Sequence, residues 1–540
     1  MIRLTTMLRL ATMLLLLIAA QPAVAATIRV PEDHKTIQAA IDAAEPGDIV
    51  LVGPGRFIER IAIGPGVTVR SAGDESRGDS GLKRAEATIL NGGGKEGDSP
   101  GVVLAEGSTL DGFTVANVGV YDEATWQKHF ESHGETLGDD EGTATAEGSI
   151  PAIRAEGVNC TIVNNVVHHN GDVGIAVIGS KERRVAPRVA NNVCYRNLGG
   201  GIGVADLAEP IVQSNICYEN LRAGIGCRNA SPIVLDNECH HNVRAGIGCR
   251  DGARPIVRGN TCYGNRRAGI GVALEGTAPI VEDNECYEND MAGIGTRDGA
   301  EPVLRNNQCY RNKMAGIGCD GSRPLIVGNE CRENEMAGIG LRGGATATIQ
   351  DNRCIENKLV ALGVTQGSTA SVSGNHFVRT GGVPPLVAVD ERSTAWLRDN
   401  EIKGGGVASI LVQGTATVVD NRFEGRGKEQ GSAVWVWQDA TATVVGNSFS
   451  GYRAVVDVTQ ANVVVTNNVV RSSGSPAIIV RDSPEPAHVF ANTVISKDEN
   501  AVVVEIQGPS GIVAENVVQG EEAGDSDEDD NSEEASDTAE

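Results

Sequence analysis

Short apolar segments alternate with turn-forming residues along most of this chain, and the alternation repeats at a nearly constant spacing. Triplets such as Pro232–Val234 stand between runs of Gly, Asn and Asp, a pattern typical of short β-strands joined by tight turns. The phrase N-x-C-x-x-N, followed two residues later by A-G-I-G or a close variant, returns every 22 to 24 residues. Its first asparagine stands at Asn192, Asn215, Asn237, Asn260, Asn284, Asn307, Asn329 and Asn352.

This repeat length predicts one coil of three short strands and three turns. Helical repeats are longer, at about 33 residues or more, and the many Gly, Asn and β-branched residues disfavour helices. Stacked coils form a parallel β-helix, in which each strand pairs with its equivalents in the coils before and after. Weaker copies of the phrase continue to Asn516, so we predict an all-β solenoid over residues 48–519.

The start of the chain differs from the repeats. Two arginines precede the apolar run Leu10–Ala20, and the small residues A-V-A end at Ala25, so residues 1–25 are typical of a secretory signal peptide. No later stretch reaches the roughly 18 consecutive apolar residues that a membrane span needs. We therefore expect an exported protein without a membrane span, periplasmic or extracellular.

The open first coil of a β-helix exposes unpaired backbone groups and must be covered. Residues 26–47 suit this role as an N-terminal cap, because Ile37 and Ile41 form an apolar stripe on a predicted short helix, Lys35–Ala44. A Glu-Pro-Gly-Asp segment then ends the helix, and Ile49–Val52 is predicted as the first regular strand.

The negative net charge of the chain limits which classes of molecule it is expected to bind. The formal net charge of the 540 residues is −25, and residues 521–540 hold eleven acidic residues and no Lys or Arg. Such a block repels itself and has little to bury, so we predict a disordered acidic tail over residues 520–540. The remaining body is also acidic, which argues against general binding to nucleic acids.

The repeat phrase resembles the right-handed parallel β-helix repeats of the pectate-lyase-like superfamily and of carbohydrate-binding and sugar-hydrolase domains. The segment Val30–Ile63, VPEDHKTIQAAIDAAEPGDIVLVGPGRFIERIAI, resembles the opening of pectin methylesterases and of the periplasmic β-helix proteins that mature nitrous-oxide reductase. Together these resemblances cover nearly all of residues 27–519. They imply a single-stranded right-handed parallel β-helix with a short N-terminal capping helix, but this fold carries lyases, hydrolases, epimerases, esterases and non-enzymes.

The twelve cysteines invite a disulfide framework in an exported protein. Eight of them share one repeat position with Val167 and Phe377, and a position that accepts Val and Phe faces the core. Coils rise about 4.8 Å, whereas the Cβ atoms of a disulfide stand about 3.8 Å apart. We therefore predict reduced, buried thiols that act as small hydrophobic residues. The eight are Cys194, Cys217, Cys239, Cys262, Cys286, Cys309, Cys331 and Cys354.

Arginine occupies one position in three consecutive coils: Arg222, Arg244 and Arg267. Three unpaired cations cannot all be buried, so this column is predicted to be exposed or at a turn. Arg228 and Arg250 add positive charge nearby. On an acidic protein such a stripe suits an anionic polymer, although long Arg and Met stems that cover apolar surface give the same pattern.

Metal ligands are candidates at two other places. Met291, Met314 and Met336 continue the arginine column, and stacked thioethers or thiolates favour Cu(I). The polar insertion over residues 121–148 breaks the coil period and is predicted to project as a lid, with His129 and His133 one helical turn apart. Neither set is assigned as a metal site, and the cofactor stays unknown. The family resemblance implies calcium, and the alternative function as a metal-handling protein implies copper.

Two further columns have structural interpretations. Repeated asparagines such as Asn220 and Asn242 are predicted to form amide ladders at the turns. Trp435 and Trp437 suggest a sugar-stacking pair, but aligning their strand with the one that ends at Arg481 places both in core columns, so we predict that they point inward.

The leading functional hypothesis is an exported β-helix that binds an acidic polysaccharide along the arginine face, with cleavage or epimerisation of the same polymer as an open extension. Catalysis stays open between lyase, epimerase and glycoside hydrolase, because the sequence triplets that mark polygalacturonases and mannuronan epimerases are missing. The alternatives are a periplasmic copper-handling accessory protein and a non-catalytic surface or adaptor solenoid. We expect a monomer.

Overall fold

The computed structural model describes residues 25–94, 99–133, 150–427, 431–471, 473–508 and 511–520. The predicted signal peptide and acidic tail lie outside these residues, apart from Ala25 and Gly520, as does most of the predicted insertion. The chain divides into two compact units: unit 1 is Met1–Met336 and unit 2 is Ala337–Glu540.

Each unit is a right-handed parallel β-solenoid, which confirms the predicted fold class. A regular coil contributes one strand to each of three sheets, named sheet 1, sheet 2 and sheet 3 in chain order, and successive coils pair in parallel register. Side chains alternate along the strands. In Ile225–Arg228, for example, Ile225 and Cys227 are buried while Gly226 and Arg228 face outward, so the core runs along the inside of the solenoid.

Unit 1 begins its sheets earlier than the predicted first strand, because Thr27–Val30 already pairs with Ile49–Val52. Sheet 1 of unit 1 consists of Thr27–Val30, Ile49–Val52, Thr68–Ser71, Thr109–Asp111, Thr161–Val163, Arg188–Ala190, Ile211–Gln213, Ile233–Leu235, Ile256–Arg258, Ile280–Glu282, Val303–Arg305 and Leu325–Val327. Sheet 2 consists of Gly55–Ile58, Thr88–Asn91, Thr114–Ala116, Val166–His168, Val193–Tyr195, Ile216–Tyr218, Glu238–His240, Thr261–Tyr263, Glu285–Tyr287, Gln308–Tyr310 and Glu330–Arg332. Sheet 3 consists of Ile61–Ala62, Val102–Leu104, Ile153–Glu156, Ile175–Ile178, Ile202–Ala205, Ile225–Arg228, Ile247–Arg250, Ile270–Ala273, Ile294–Arg297 and Ile317–Asp320.

Unit 2 has the same three-sheet arrangement, with longer strands in sheets 1 and 3. Its sheet 1 consists of Thr346–Gln350, Thr369–Ser373, Thr394–Arg398, Thr415–Val419, Thr441–Val445, Asn462–Thr466, His488–Phe490 and Ile512–Ala514. Sheet 2 consists of Arg353–Ile355, His376–Arg379, Glu401–Gly404, Arg422–Glu424, Ser448–Ser450, Val469–Arg471, Thr493–Ser496 and Val517–Gly520. Sheet 3 consists of Ala337–Arg342, Val360–Val364, Val387–Val389, Ala408–Val412, Ser432–Trp437, Ala454–Thr459, Ile478–Arg481 and Val504–Gln507.

Three short helices accompany the strands of unit 1 in the described part of the chain: α1 (Ile37–Ala43), α2 (Lys83–Ala87) and α3 (Glu123–Glu131). Helix α1 is the predicted cap. The Thr36 hydroxyl accepts a hydrogen bond from the amide of Ala39, and Ile37 and Ile41 are buried, as their spacing indicated. Across the described residues, no helix is long and apolar enough to cross a membrane.

Buried asparagines carry the hydrogen-bonding of each coil through its turns, as predicted. Asn242 is typical: its Nδ2 donates to Asn265 Oδ1 at 3.1 Å and to the carbonyl of Cys217 at 2.9 Å. Its Oδ1 accepts from the backbone amide and the Nδ2 of Asn220, at 3.2 and 3.0 Å. One side chain therefore satisfies donors and acceptors in the coils on both sides, within a turn that water does not reach.

All twelve cysteines are free and buried, which confirms the predicted burial; their reduced state stays a prediction. In sheet 2 of unit 1, Val167 and the cysteines up to Cys331 lie in register and point into the core, and in unit 2 Cys354 pairs with Phe377. Burial raises the pKa of the Cys160 thiol to about 12 and also raises the pKa of Cys194. Thiols whose pKa is raised in this way are poor metal ligands and poor nucleophiles, whereas the pKa of Cys217 and Cys262 is lowered, despite burial, by hydrogen bonds from neighbouring cysteines.

We expect replacement of Asn242 by Ala to lower the free energy of unfolding by about 3 kcal/mol, because it leaves the buried donors of Asn220 without an acceptor. The measurement is urea denaturation followed by circular dichroism. Gln308→Ala, which removes an exposed amide from a strand of the same unit, is the matched control and should change stability by less than about 0.5 kcal/mol. Equal effects of the two substitutions would contradict a structural role for the ladder.

Thiol labelling of the native protein should be slow, because every thiol is buried and its burial disfavours the thiolate. After denaturation the number of labelled groups should approach twelve. A colorimetric thiol reagent, applied before and after addition of guanidinium chloride, measures both values. Rapid labelling of the native protein would show that the cysteine column faces solvent.

Candidate functional site

A pocket with a volume of about 470 Å³ opens on the outside of sheet 3 in unit 2. One wall is the outer face of the strands Ser432–Trp437 and Ala454–Thr459, and the other is the turn column that precedes sheet 3. The lining residues are Gly382, Val383, Gly406, Val407, Arg426, Gly431, Ser432, Trp435, Arg453 and Asp457.

Trp435 reaches this pocket because of the alternation along its strand. Val434 and Val436 are fully buried in the core, so Trp435 and Trp437 project to the outside, where their ring centroids are 4.5 Å apart. The prediction that both tryptophans point inward is therefore wrong. In the structure Trp437 pairs with Thr459, which in turn pairs with Arg481. The sequence alignment was therefore wrong by one residue, and a shift of one residue along a strand moves a side chain to the opposite face of the sheet.

Glycines in the turn column that lines the pocket allow neighbouring coils to pack closely. A Cβ atom at Gly406 would stand 1.9 Å from the carbonyl oxygen of Val383, and one at Gly431 would stand 1.9 Å from that of Val407. Neither position accepts a side chain without movement of the backbone. The coils therefore approach each other closely here, and the side chains of Trp435 and Arg453 remain uncovered.

Asp457 supplies the buried charge of the site. It is only 5% exposed, and it follows Trp435 in the outer column of sheet 3. Arg453 Nη2 donates to Asp457 Oδ2 at 2.7 Å, Arg481 Nη1 pairs with Asp457 Oδ1, and the Ser432 hydroxyl lies 3.5 Å from Oδ2. Two guanidinium groups around one carboxylate leave a net positive charge, and half of the Arg453 side chain is exposed.

The chemistry of this pocket follows from two of its lining groups, the half-buried Trp435 and the half-exposed Arg453. The indole of Trp435 offers an apolar face, and the guanidinium of Arg453, which is held in place by Asp457, offers charged donors beside it. Arg426 closes the pocket, with Nη2 donating to the carbonyl of Gly405 at 2.8 Å and Nη1 bonded to the carbonyl of Thr380. The site therefore suits a ligand that has an apolar face and an anionic edge.

The predicted arginine column lies in a turn of unit 1, where the backbone amides of Arg244, Arg267 and Met291 each donate to the carbonyl of the preceding member. Its cations are only partly presented to solvent: Arg244 is 9% exposed, and Arg222 and Arg267 are half-buried. Whether these arginines bind a polyanion stays a prediction.

Arg228 and Arg250 stand at the other end of sheet 3 in unit 1 and share one carboxylate. The Nε atom of each arginine lies 2.9 Å from Asp251 Oδ2. Both side chains remain more than a third exposed, so the pair adds one net positive charge to this edge. The structure places them apart from the arginine column, because the sheet 3 strand separates the turn that carries the column from these two residues.

The insertion packs against the turn before sheet 3, in the coils that carry Arg222 and Arg244. Helix α3 begins after Asp122, and Trp126 packs on Leu221 and Val243 while its Nε1 donates to the carbonyl of Glu219 at 2.9 Å. This described part packs on the solenoid, and the rest of the predicted insertion lies outside the described residues, so its role as a lid stays a prediction.

The candidate metal ligands do not converge on one point. His133 follows helix α3 and its Nδ1 lies 3.4 Å from Asp290 Oδ2, whereas burial lowers the pKa of His129. Met291 and Met336 are 44% and 42% exposed at the turn, as stems that cover the surface would be. Within the described residues, no group of three or more His, Cys, Asp or Glu side chains is arranged to hold a metal ion.

A stacked column of aromatic rings on the outer face of sheet 2 in unit 1 was missed from the sequence. Adjacent ring centroids are 4.8 to 5.0 Å apart. Arg332 closes one end, with its guanidinium carbon 4.0 Å from the ring centroid of Tyr310. The signal was present as the residue after each repeat cysteine. The column consists of His168, Tyr195, Tyr218, His240, Tyr263, Tyr287 and Tyr310.

Sequence comparison identifies the repeats. The model of the family described as "Right handed beta helix region" matches residues 150–284, 271–377 and 385–533, which together make up more than half of the chain. No curated protein sequence matches the chain.

Solved structures resemble the chain in fold alone. The periplasmic alginate epimerase AlgG is 14% identical over 69% of this chain and 83% of its own, with a TM-score of 0.37. The mannuronan C-5 epimerase AlgE6 A-module of Azotobacter vinelandii is 13% identical over 89% of this chain and 94% of its own, with a TM-score of 0.19. The catalytic unit of the GH87 alpha-1,3-glucanase of Streptomyces thermodiastaticus is 12% identical over 92% and 70%, with a TM-score of 0.21. At these scores no residue of theirs is matched to one of this chain.

Proposed function

The chain belongs to the right-handed β-helix family, and from this premise we propose that it binds an acidic polysaccharide in the pocket around Trp435. The observation that carries the proposal is the juxtaposition of a half-buried indole, which lines the pocket, with the Arg453–Asp457 pair in one concave site. A hexuronate unit has the matching chemistry, because its C–H face is apolar and its carboxylate is anionic.

In the proposed complex the sugar ring stacks on Trp435 and its carboxylate pairs with Arg453. Asp457 keeps the guanidinium oriented, and Arg481 balances the charge of Asp457 when Arg453 turns part of its donors toward the ligand. A hydrogen bond between charged groups contributes about 1.5–3 kcal/mol. The Ser432 hydroxyl, 3.5 Å from Asp457, is a further donor for a sugar oxygen.

Export belongs to the same proposal. Residues 1–25, which are typical of a signal peptide, support export to the periplasm or to the outside of the cell. Reduced cysteines agree with that location because every one of them is buried away from oxidants. The proposal is one of binding, and the experiment below also detects cleavage.

The first test measures binding of polygalacturonate and alginate oligomers by isothermal titration calorimetry. Trp435→Leu, which copies the paired residue Leu411 of the preceding coil, should weaken binding about tenfold through the lost stacking surface. Arg453→Gln should weaken it about tenfold or more, because the charged hydrogen bond is lost. Absorbance near 235 nm of the same mixtures detects unsaturated products of a lyase reaction.

Two controls make this test specific. Trp396→Thr removes a tryptophan that is 48% exposed on sheet 1 and copies its paired residue Thr417, so binding should be unchanged. The wild-type chain should bind carboxyl-reduced polymer more weakly than native polymer. The Arg453→Gln variant should bind the two polymers equally. If both pocket variants bind with unchanged affinity, the pocket is not the binding site. If the wild-type chain binds reduced and native polymer equally, the ligand is not recognised through its carboxylates.

The second test separates the pocket from the arginine column. Replacing Arg222, Arg244 and Arg267 together with Met extends the existing methionine column and should keep the melting temperature. If the column also tracks the polymer, the triple variant should lose affinity, and salt should weaken wild-type binding more than variant binding, since exposed charges are screened within about 8 Å. Unchanged binding would leave these arginines as packing stems and the pocket as the sole proposed site.

A further inference from the structure

Two adjacent histidine pairs occur on the aromatic column of unit 1, and in both the imidazoles meet through their Nδ1 atoms. The His168 and His169 Nδ1 atoms are 2.7 Å apart, and those of His240 and His241 are 2.9 Å apart. One Nδ1 donates its proton to the other in each pair. The same geometry recurs because the second histidine has a left-handed backbone, with φ of 53° at both His169 and His241.

The second pair is held rigidly. The His240 ring is stacked between Tyr218 and Tyr263, with centroids 4.9 and 4.8 Å away and interplanar angles of 4° and 13°. His241 packs edge-on against Tyr263, at 86°. Its ring extends over Gly264, where a Cβ atom would come within 2.9 Å of His241 Nε2, so the glycine provides the space for this imidazole.

A carboxylate stands behind the pair. Glu238 Oε1 lies 4.0 Å from His240 Nε2 and accepts a hydrogen bond from the Tyr263 hydroxyl at 2.8 Å. Glu238 lies beyond hydrogen-bond distance of this nitrogen, but its negative charge favours the tautomer with the proton on His240 Nε2, which leaves Nδ1 for a metal ion.

We propose that His240 and His241 chelate one divalent transition-metal ion of the Cu²⁺ or Ni²⁺ class through their two Nδ1 atoms. With metal–nitrogen bonds of about 2.05 Å, a separation of 2.9 Å corresponds to an angle of about 90° at the metal. That is the angle between neighbouring ligands in tetragonal and square-planar sites, which Cu²⁺ and Ni²⁺ favour. A tetrahedral ion such as Zn²⁺ would need the nitrogens about 3.3 Å apart. Water fills the remaining positions.

The proton balance of binding is neutral. The shared proton leaves Nδ1 of the donor ring, and that ring takes a proton on Nε2, so both Nδ1 lone pairs face the metal and no net proton is released.

The first pair provides a matched control within the same column. His169 is covered by the Tyr121 ring, whose centroid is 4.9 Å away, and the next coil places Arg196 at the position that Gly264 occupies beside His241. Arg196 pairs with Glu219 and stacks over Trp126, so it stays beside the His169 ring. His168 and His169 therefore have the close nitrogens but lie against the Tyr121 ring and near the Arg196 cation, which repels a metal ion, and they should not take up the metal.

The experiment titrates the purified full-length chain with Cu²⁺ at pH 7 and follows electron paramagnetic resonance and calorimetry. We expect one Cu²⁺ per chain with superhyperfine splitting from two imidazole nitrogens. His240→Tyr/His241→Gly copies Tyr263 and Gly264 of the next coil, which preserves the stack, and should raise the Kd for Cu²⁺ at least about tenfold and abolish that splitting. Glu238→Gln removes the negative charge near His240 Nε2 but neither metal ligand, and it should raise the Kd by about tenfold.

The control variant His168→Tyr/His169→Arg copies Tyr195 and Arg196 of its own next coil and should bind Cu²⁺ like the wild-type chain. Melting curves without metal verify that both double variants fold. Full Cu²⁺ binding by His240→Tyr/His241→Gly, loss of binding in the control variant alone, or a wild-type spectrum without two-nitrogen splitting would each overturn the assignment.

Discussion

The hydrogen bonds that join one coil to the next are the constraint on which the remainder of this structure depends. In the strands the backbone supplies them, but a tight turn leaves buried amides without partners, which is costly. Asparagine fills that gap: Asn237 Oδ1 accepts from the backbone amide of Asn215 and from its Nδ2, both at 2.9 Å. The ladder thus runs through strand and turn alike, and it fixes the register of every coil against its neighbours.

A fixed register converts each outward position into a column of side chains about 4.8 Å apart. That spacing is close to the stacking distance of aromatic rings, so Tyr218, His240 and Tyr263 stack as a consequence of the backbone. It also brings unlike residues together. Trp435 and Asp457 occupy the same column in successive coils, and Arg453 joins them from the turn. The pocket of unit 2 therefore forms between coils, and it joins Trp435 to Asp457, which lies one coil later in the sequence.

Local departures from the regular repeat decide where a ligand can enter. Gly406 and Gly431 allow the turn column beside sheet 3 to stack closely, and the pocket in unit 2 remains open next to it. Gly264 does the same for the imidazole of His241, while Arg196 fills the equivalent space beside His169. The polysaccharide and metal proposals both depend on such missing side chains, since the identical backbone with a larger residue would cover the site.

The sequence by itself determined the fold, the capping helix, the asparagine ladders and the buried thiols, because a repeat displays each column many times and a column of Val, Cys and Phe has only one environment. It did not determine the site. Trp435 and Trp437 lie in a coil that departs from the repeat, so an alignment wrong by one residue assigned them to the core. Only the tertiary structure decided which outward columns meet, because the contacts of Trp435, Arg453 and Asp457, like those of His240, His241 and Gly264, depend on the register between coils and on the width of each turn.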